Sequence, residues 1–305
     1  MSTSSPTSAA PPSTAPVAWG ARAVWLPGAA VVTWWIWELS HHWAALVEYR
    51  FGWIVVMLAA YLAWERWPTR PVARPGERTG WALLLGVVGM VLVLLAELYR
   101  IGLARTPTQA MLFSLGGAAF VVAHLLALTG WERTRHFLFP VLFFFVAVPI
   151  PKIVWNPVVF GLQSLVTFLN VEALNLLGIP AVQQAHVIRL PNTTVGVDEA
   201  CSGVRSLQSS IMAALFIGDL TLRRAGWKVF FLFAGVALAV VGNFGRSLYL
   251  SLTAHRAGAE ALKAVHDSAG WSVLLFTAAG IAALAWAVTR LEARLQAQAT
   301  SRPAA

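Results

Sequence analysis

Apolar stretches long enough to cross a bilayer follow one another along this chain of 305 residues. A helix needs about 20 apolar residues to cross the hydrocarbon core, where each backbone amide must find its partner within the protein. We identify eight such stretches, at residues 24–40, 51–67, 80–99, 108–129, 135–150, 201–220, 227–252 and 267–289. The composition agrees, since 58% of the residues are hydrophobic and 11% are charged. We predict an all-α polytopic membrane protein with about eight transmembrane helices.

The basic residues predict an orientation in the cytoplasmic (inner) membrane. Cytoplasmic loops are enriched in Lys and Arg, which assigns the Arg-rich linker ERWPTRPVARPGER at 65–78 to the cytoplasm. Counting crossings from this linker places both termini and the other basic loops on the same side. Those loops hold Arg133, Arg135, Arg223, Arg224, Lys228, Arg290 and Arg294. Membrane orientation therefore accounts for the net charge of +9, and no nucleic-acid partner is expected.

That count requires residues 153–177 to remain on one side of the membrane. Polar side chains there fall within one narrow arc of a helix, and they are Asn156, Gln163, Thr167 and Asn170. The pattern predicts an amphipathic helix in the membrane interface. In the polar stretch that follows, AHVIRL and TTVGV flank a Pro-Asn turn and predict a short external hairpin.

Composition divides the chain into four parts. Residues 1–22 are rich in Ser, Thr, Pro and Ala and predict a disordered cytoplasmic tail, and residues 291–305 predict a second cytoplasmic tail. The four-span region at 23–134 contains isolated polar residues that we interpret as interhelical or interfacial contacts, namely Glu38, Glu97 and His124. Adjacent His41 and His42 would point about 100° apart on a helix, so no metal and no other cofactor is predicted.

The remaining part, residues 135–290, places three reactive groups near the outer ends of the last three spans: Cys201, Arg246 and His266. An arginine is costly in hydrocarbon, so Arg246 should face the protein interior or a wet cavity, unless it reaches the headgroups by snorkelling. Asn243 lies one turn away on the same face. A cysteine nucleophile needs a base, and a tetrahedral intermediate needs a donor for its oxyanion. The combination indicates acyl transfer.

Each of these residues also has a simpler interpretation. Judged without the other two, Cys201, the only cysteine, would be interpreted as a small buried hydrophobic residue. His266, judged in the same way, would be interpreted as a residue of the membrane interface. His186 and His255 compete with His266 for the role of base. The helix N-terminus and Arg205 favour a thiolate at position 201, and the acidic residues at 198 and 199 oppose it.

The motifs ACSGVRSL around Cys201, GNFGRSLYL around Arg246 and HDSAG from His266 occur in this order, after PIPK at 149–152. Together they resemble the exosortase and archaeosortase family over about residues 135–290. Its members are multi-spanning cysteine transpeptidases or proteases, proposed to cut exported proteins at a C-terminal sorting signal made of a short motif, a transmembrane helix and a basic tail.

The resemblance implies a role for each motif residue. Cys201 would be the nucleophile that forms a thioester, His266 the acid/base, and Arg246 the stabiliser of the oxyanion or substrate. Four neighbours would support them or bind substrate: Ser202, Gly203, Arg205 and Asn243. The expected partners are membrane-anchored proteins, with an active site on the extracytoplasmic side. Whether water or a lipid or glycan acceptor resolves the thioester stays open.

Two other functions remain compatible with the sequence. Arg246, Asn243 and the broken segment 153–177 would also suit a transporter of a lipid or small molecule, although no internal repeat accompanies them. A non-catalytic envelope assembly factor is the other alternative. The replacement Cys201→Ala separates the three, because only an enzyme loses turnover while remaining folded.

Overall fold

The computed structural model describes residues 23–197 and 203–300, so the predicted tail at 1–22 lies outside the described residues. The first seven helices are α1 Leu26–Ala45, α2 Gly52–Glu65, α3 Thr79–Leu103, α4 Pro107–Thr129, α5 Trp131–Phe143, α6 Lys152–Leu176 and α7 Val204–Thr221. The last helical segment, Ala225–Thr300, is interrupted at Gly258. We number its two parts α8 (225–257) and α9 (259–300). The boundary predicted at residue 290 therefore falls inside α9.

Helices of membrane-spanning character confirm the predicted class. Within the described ranges, six segments are long and apolar enough to cross a bilayer: Val47–Glu65, Thr79–Leu103, Pro107–Thr129, Lys152–Leu176, Ala225–Gly258 and Ser268–Gln298. Five of them coincide with predicted spans. Helices also form at the other three predicted positions, α1, α5 and α7, but these are shorter or more polar. The exact number of crossings stays a prediction.

Contacts gather the basic segments at one end of the helices, which we call the charged face. The backbone N–H of Arg74 donates to the carbonyl of Thr129 at 3.0 Å, and the Arg133 side chain donates to the Pro71 carbonyl at 2.8 Å. These bonds join the linker after α2 to the end of α4 and the beginning of α5. The arrangement agrees with the predicted grouping of the basic loops, and the side of the membrane that this face occupies stays a prediction.

Two buried carboxylates tie the last three helices together at the charged face. Asp219, near the end of α7, accepts hydrogen bonds from Arg66 and from Lys228, the latter at 2.8 Å. Glu292 of α9 accepts from the backbone N–H groups of Arg223 and Arg224 at 3.1 and 2.8 Å. Because those N–H groups precede the first turn of α8, Glu292 acts as an N-cap supplied by another helix.

Helices α8 and α9 form an antiparallel hairpin. Leu238 packs against Gly280, and a Cβ at Gly242 would lie 3.4 Å from the Thr277 hydroxyl. The hairpin turns at Gly258, where φ is +80°, a left-handed value that favours glycine. Because the chain breaks there, α9 begins well before residue 267, where the last apolar stretch was predicted to start, and Ser268 donates back to the Val265 carbonyl at 2.9 Å, inside the helix.

Helix α6 has both of its ends at the end of the molecule opposite the charged face. Just before it, the backbone N–H of Ile150 donates to the Tyr49 hydroxyl at 3.1 Å, and Tyr49 precedes α2 at the end remote from Arg66. Its last turns pack in one cluster with Ala254, close to the Gly258 turn. These contacts favour the predicted arrangement in which the segment does not cross, although its length and hydropathy would allow crossing.

The polar side chains of α6 lie in a different environment from the predicted membrane interface. Gln163, Thr167 and Asn170 are buried, and only Asn156 is exposed. Apolar side chains cover the outer surface of the helix, for example Phe160. The helix therefore directs its polar side toward the protein rather than toward headgroups, as expected where the surroundings are lipid.

A three-stranded antiparallel sheet follows α6, in the order β1 Val182–Gln184, β2 Val187–Arg189, β3 Thr194–Gly196. Strands β2 and β3 are the predicted hairpin, with Ile188 paired to Val195, and both side chains are buried. The sequence did not indicate β1, because three residues containing two glutamines carry no strand pattern. The turn is tied to α8: the Asn192 amide donates to the His255 carbonyl at 2.7 Å.

The first four helices pack through small residues and buried polar pairs. Helices α3 and α4 approach closely at Gly89 and Gly116, where a Cβ on Gly116 would lie 2.7 Å from the Gly89 carbonyl oxygen. Glu38 of α1 is buried and bonded to Arg105 at 3.0 Å and to Gln109 of α4 at 3.2 Å. The expectation of an interhelical polar contact at Glu38 is therefore correct.

Candidate active site between the last three helices

A cavity of about 620 Å³ lies among α7, α8 and α9. Gly203 and Arg205 border it at the beginning of α7, and Asn243 and Arg246 border it from α8. From α9 the cavity is bordered by Gly270, which follows position 266 by about one helical turn. Four of the seven residues that the motifs predict for the site thus surround one cavity, at the end of the bundle opposite the charged face.

Gly203 is the residue that brings α7 against α8. It adopts a left-handed conformation, with φ of +84°, immediately before the first turn of α7. A Cβ at this position would lie 2.6 Å from Cγ and 2.7 Å from Nδ2 of Asn243. Both the backbone conformation and the space available therefore require glycine, and the requirement explains the small residue after the cysteine in the motif.

Arg246 lies inside the protein rather than reaching outward from it. Its residue is half-buried, and its Nη2 is 3.9 Å from the position that a Cβ on Gly270 would occupy. Asn243, one turn earlier, is 2% exposed. Both side chains border the cavity, in agreement with the predicted polar face of α8, and the snorkelling alternative is not supported by this placement.

Among the described residues, positive charge reaches the cavity mouth from two helices. Arg205 lies in the first turn of α7, and the N-terminus of that helix adds the partial positive charge of its free N–H groups. Arg246 contributes a second guanidinium from α8. Such an arrangement stabilises negative charge that develops on an oxygen or a sulfur atom.

Two of the predicted catalytic residues fall outside this description. Cys201 and Ser202 lie between the described ranges, directly before Gly203 in the chain. Position 266 belongs to α9, but the His266 side chain is not among those described. The roles assigned to Cys201, His266 and Arg246 therefore remain predictions.

The two competing histidines lie elsewhere. The His186 ring stacks on Phe160 with centroids 5.7 Å apart, and His255 Nδ1 is 3.1 Å from Oδ1 of Asn192. Neither residue borders the cavity. Over the described ranges, no three His, Cys, Asp or Glu side chains approach closely enough to hold a metal ion.

The sequence reasoning missed the hydroxyl groups that border the same cavity. Ser206, Ser209 and Ser210 of α7 contribute three of them, and Thr277 of α9 contributes another. Their spacing of three and four residues on α7 puts them on one face, which was the available signal. The deeper wall is apolar and includes Met212, Ala213, Ala278 and Ile281.

Comparison with known proteins supports a family assignment. A family model described as transmembrane exosortase matches residues 43–283. This range begins in α1 and ends in α9, so it starts well before residue 135, where the motif-bearing part begins, and it includes every residue that borders the cavity. No curated protein and no solved structure gives a significant match.

Proposed function

Because the chain belongs to the transmembrane exosortase family, we propose that it is a membrane-embedded cysteine transpeptidase or protease that cleaves exported proteins at a C-terminal sorting signal. One observation carries the proposal: two motifs about 40 positions apart in the chain border one cavity, through Gly203 and Arg205 of the first and Asn243 and Arg246 of the second. Gly203 follows the proposed nucleophile Cys201 by only two positions in the sequence, which supports the proposal.

The proposed reaction begins at Cys201. Its thiolate attacks the carbonyl carbon of the scissile peptide, a C–S bond forms, and the carbonyl electrons move to oxygen. Arg246 and the N-terminal amides of α7 provide the positive charge that stabilises this oxyanion. The C–N bond then breaks, and His266 gives its proton to the leaving amine. The product is a thioester between Cys201 and the carboxyl side of the substrate.

A second nucleophile completes the cycle. Water would release a carboxylic acid, and an amine from an envelope acceptor would form a new amide; in both cases His266 accepts the proton of the nucleophile and the Cys201 thiolate is regenerated. Either outcome fits the same three residues, because they act on the carbonyl and not on the acceptor. Asn243 and Arg205 would hold the substrate and the two catalytic helices in position.

Membrane anchoring gives this chemistry its geometry. A substrate with its own transmembrane helix diffuses in two dimensions and presents the scissile peptide at a fixed depth, which lowers the entropic cost of the encounter. The cavity lies at the end of the bundle opposite the Arg-rich linker 65–78. If that linker is cytoplasmic, the reaction takes place on the extracytoplasmic side.

The test is to replace Cys201 by alanine in the host and to measure the C-termini of exported membrane-anchored proteins by mass spectrometry. We expect shortened C-termini with the wild-type protein and retained sorting signals with Cys201→Ala, at unchanged amounts of folded enzyme. Arg246→Ala should also abolish processing, whereas Arg256→Ala should not, because Arg256 is exposed on the same helix beyond the cavity. Normal processing with Cys201→Ala would refute the proposal and leave the transporter or the assembly factor.

The side of the membrane is tested with the same cysteine. A membrane-impermeant maleimide should label intact spheroplasts that carry the wild-type protein and should not label those with Cys201→Ser. Labelling that requires permeabilisation would place the thiol on the cytoplasmic side and overturn the charge-based orientation.

A further inference from the structure

The cavity has two guanidinium groups at its mouth, those of Arg205 and Arg246, and a row of hydroxyl groups that continues inward. Ser206 donates to the Gly203 carbonyl at 2.8 Å, and Thr277 donates to the Val273 carbonyl at 2.7 Å, so both oxygens keep acceptor capacity. Beyond them, Met212 and Ile281 make the inner end apolar. A ligand of this cavity must therefore offer polar groups along part of its length and an apolar group at its inner end.

Ser210 is the strongest indication of a polar ligand. It is 1% exposed and borders the cavity, yet its hydroxyl has no hydrogen-bond partner within the part of the chain that the structure describes. A buried hydroxyl without a partner is unfavourable, and such groups are normally satisfied by protein, water or ligand. A lipid chain in the cavity would leave Ser210 unsatisfied, because hydrocarbon offers neither donor nor acceptor.

The length of the cavity fits a short extended peptide. From Gly270 to Ile281 the cavity follows α9 for eleven residues, which correspond to about 16 Å of helix. An extended chain covers that distance with about five residues.

We infer that this cavity binds about five substrate residues in extended form, immediately after the scissile bond, at the point where the substrate enters its own transmembrane segment. The inference rests on the proposed function. Hydroxyls of Ser206, Ser210 and Thr277 pair with the unwound backbone, and the apolar end receives a large apolar side chain. The physical reason is that a peptide bond inside a helix is inaccessible to attack, and unwound backbone in a membrane requires partners lining a cavity.

The experiment measures the register of the bound segment by photo-crosslinking. Benzoylphenylalanine replaces Trp271 at the mouth or Ile281 at the inner end, in the full-length Cys201→Ala protein within host membranes. Leu275 serves as the matched control position, because it lies on the same helix, is 68% exposed and does not border the cavity. Crosslinked products are digested and sequenced by mass spectrometry.

We expect the two cavity positions to crosslink to the same C-terminal segment of an exported protein, at sites about four or five residues apart. Sites about ten residues apart would indicate a helix and overturn the inference. Crosslinks from position 281 to lipid alone would also overturn it, since the occupant would be an acyl chain. If Cys201→Ala abolishes processing in either of these cases, the proposed function stands and only the extended binding mode fails.

The hydroxyl groups are tested by a matched pair of threonines. Thr277→Val keeps the shape of the side chain and removes its hydroxyl, and we expect processing to fall about five- to tenfold, the value of one hydrogen bond. Thr253 makes the same bond to the residue four positions earlier, in α8 and away from the cavity, so Thr253→Val should leave processing unchanged. Thr277→Ser should restore it. If Thr277→Val and Thr253→Val lowered processing equally, the proposed role of the cavity hydroxyl groups would be refuted.

Discussion

Replacing Gly203 by alanine tests the contact that joins the cysteine motif to α8. At φ of +84° a residue with a Cβ loses about 1–2 kcal/mol relative to glycine. The new Cβ would also lie 2.6 Å from Cγ of Asn243, and overpacking of this kind costs about 1–3 kcal/mol. We therefore expect Gly203→Ala to lower the free energy of unfolding by about 2–5 kcal/mol.

The two contributions can be separated by a double-mutant cycle. Asn243→Ala removes the atoms at 2.6 and 2.7 Å but keeps the Cβ at 2.9 Å, so the combined variant should be less destabilised than the sum of the single variants by part of the overpacking cost of about 1–3 kcal/mol. Unfolding is followed by heating in detergent micelles, with Gly245→Ala as the control, because a Cβ on Gly245 of α8 meets open space. A Gly203→Ala protein as stable as wild type, or strictly additive effects with Asn243→Ala, would refute the reasoning.

Three further predictions concern the contacts that hold the helices together, all measured by thermal unfolding in detergent. Asp219→Asn should destabilise by about 3 kcal/mol, because two cations at the charged face lose a buried carboxylate; an unchanged Tm would contradict this account. Glu292→Ala should cost about 1–3 kcal/mol through the loss of two capping bonds, and Glu292→Gln less, since the amide keeps one acceptor. Gly116→Val should separate α3 from α4 and lower the Tm, whereas Gly102→Ala on α3, in open space, should not; equal effects would argue against close packing at Gly116.

Much of the architecture followed from physical patterns in the sequence. The length of the apolar stretches predicted the helices, because backbone N–H and C=O groups in hydrocarbon must form their hydrogen bonds within the protein. The positions of the arginines predicted which helix ends lie together. Asn243 and Arg246 were placed on a common inner face because arginine is costly in lipid, and the structure puts both beside the cavity. Each of these features follows from one strong energetic preference of a residue type or of the backbone, so the sequence was sufficient to predict it.

Other features depend on pairs of distant residues and left no local pattern. The role of Asp219 at the charged face requires Arg66, 153 positions earlier in the chain, and the cap of α8 is provided by Glu292 from the end of α9. The interruption at Gly258 places the beginning of α9 ahead of residue 267, the predicted start of the last span, since glycine alone does not reveal which conformation it adopts. The hydroxyl groups were detectable by spacing, but serines at such intervals usually only assist helix packing.

The α8–α9 hairpin makes the site tolerant of some length changes and intolerant of others. Its alignment is fixed by contacts along both arms, from Glu292 at one end to the Arg246 and Gly270 pair near the other. Residues added at the Gly258 turn would lengthen the connection without shifting either arm. One residue inserted between Ala225 and Arg246 would instead rotate the guanidinium by about 100° around the helix axis, away from the cavity. Natural variation in length should therefore accumulate at the turn and be absent from the arms.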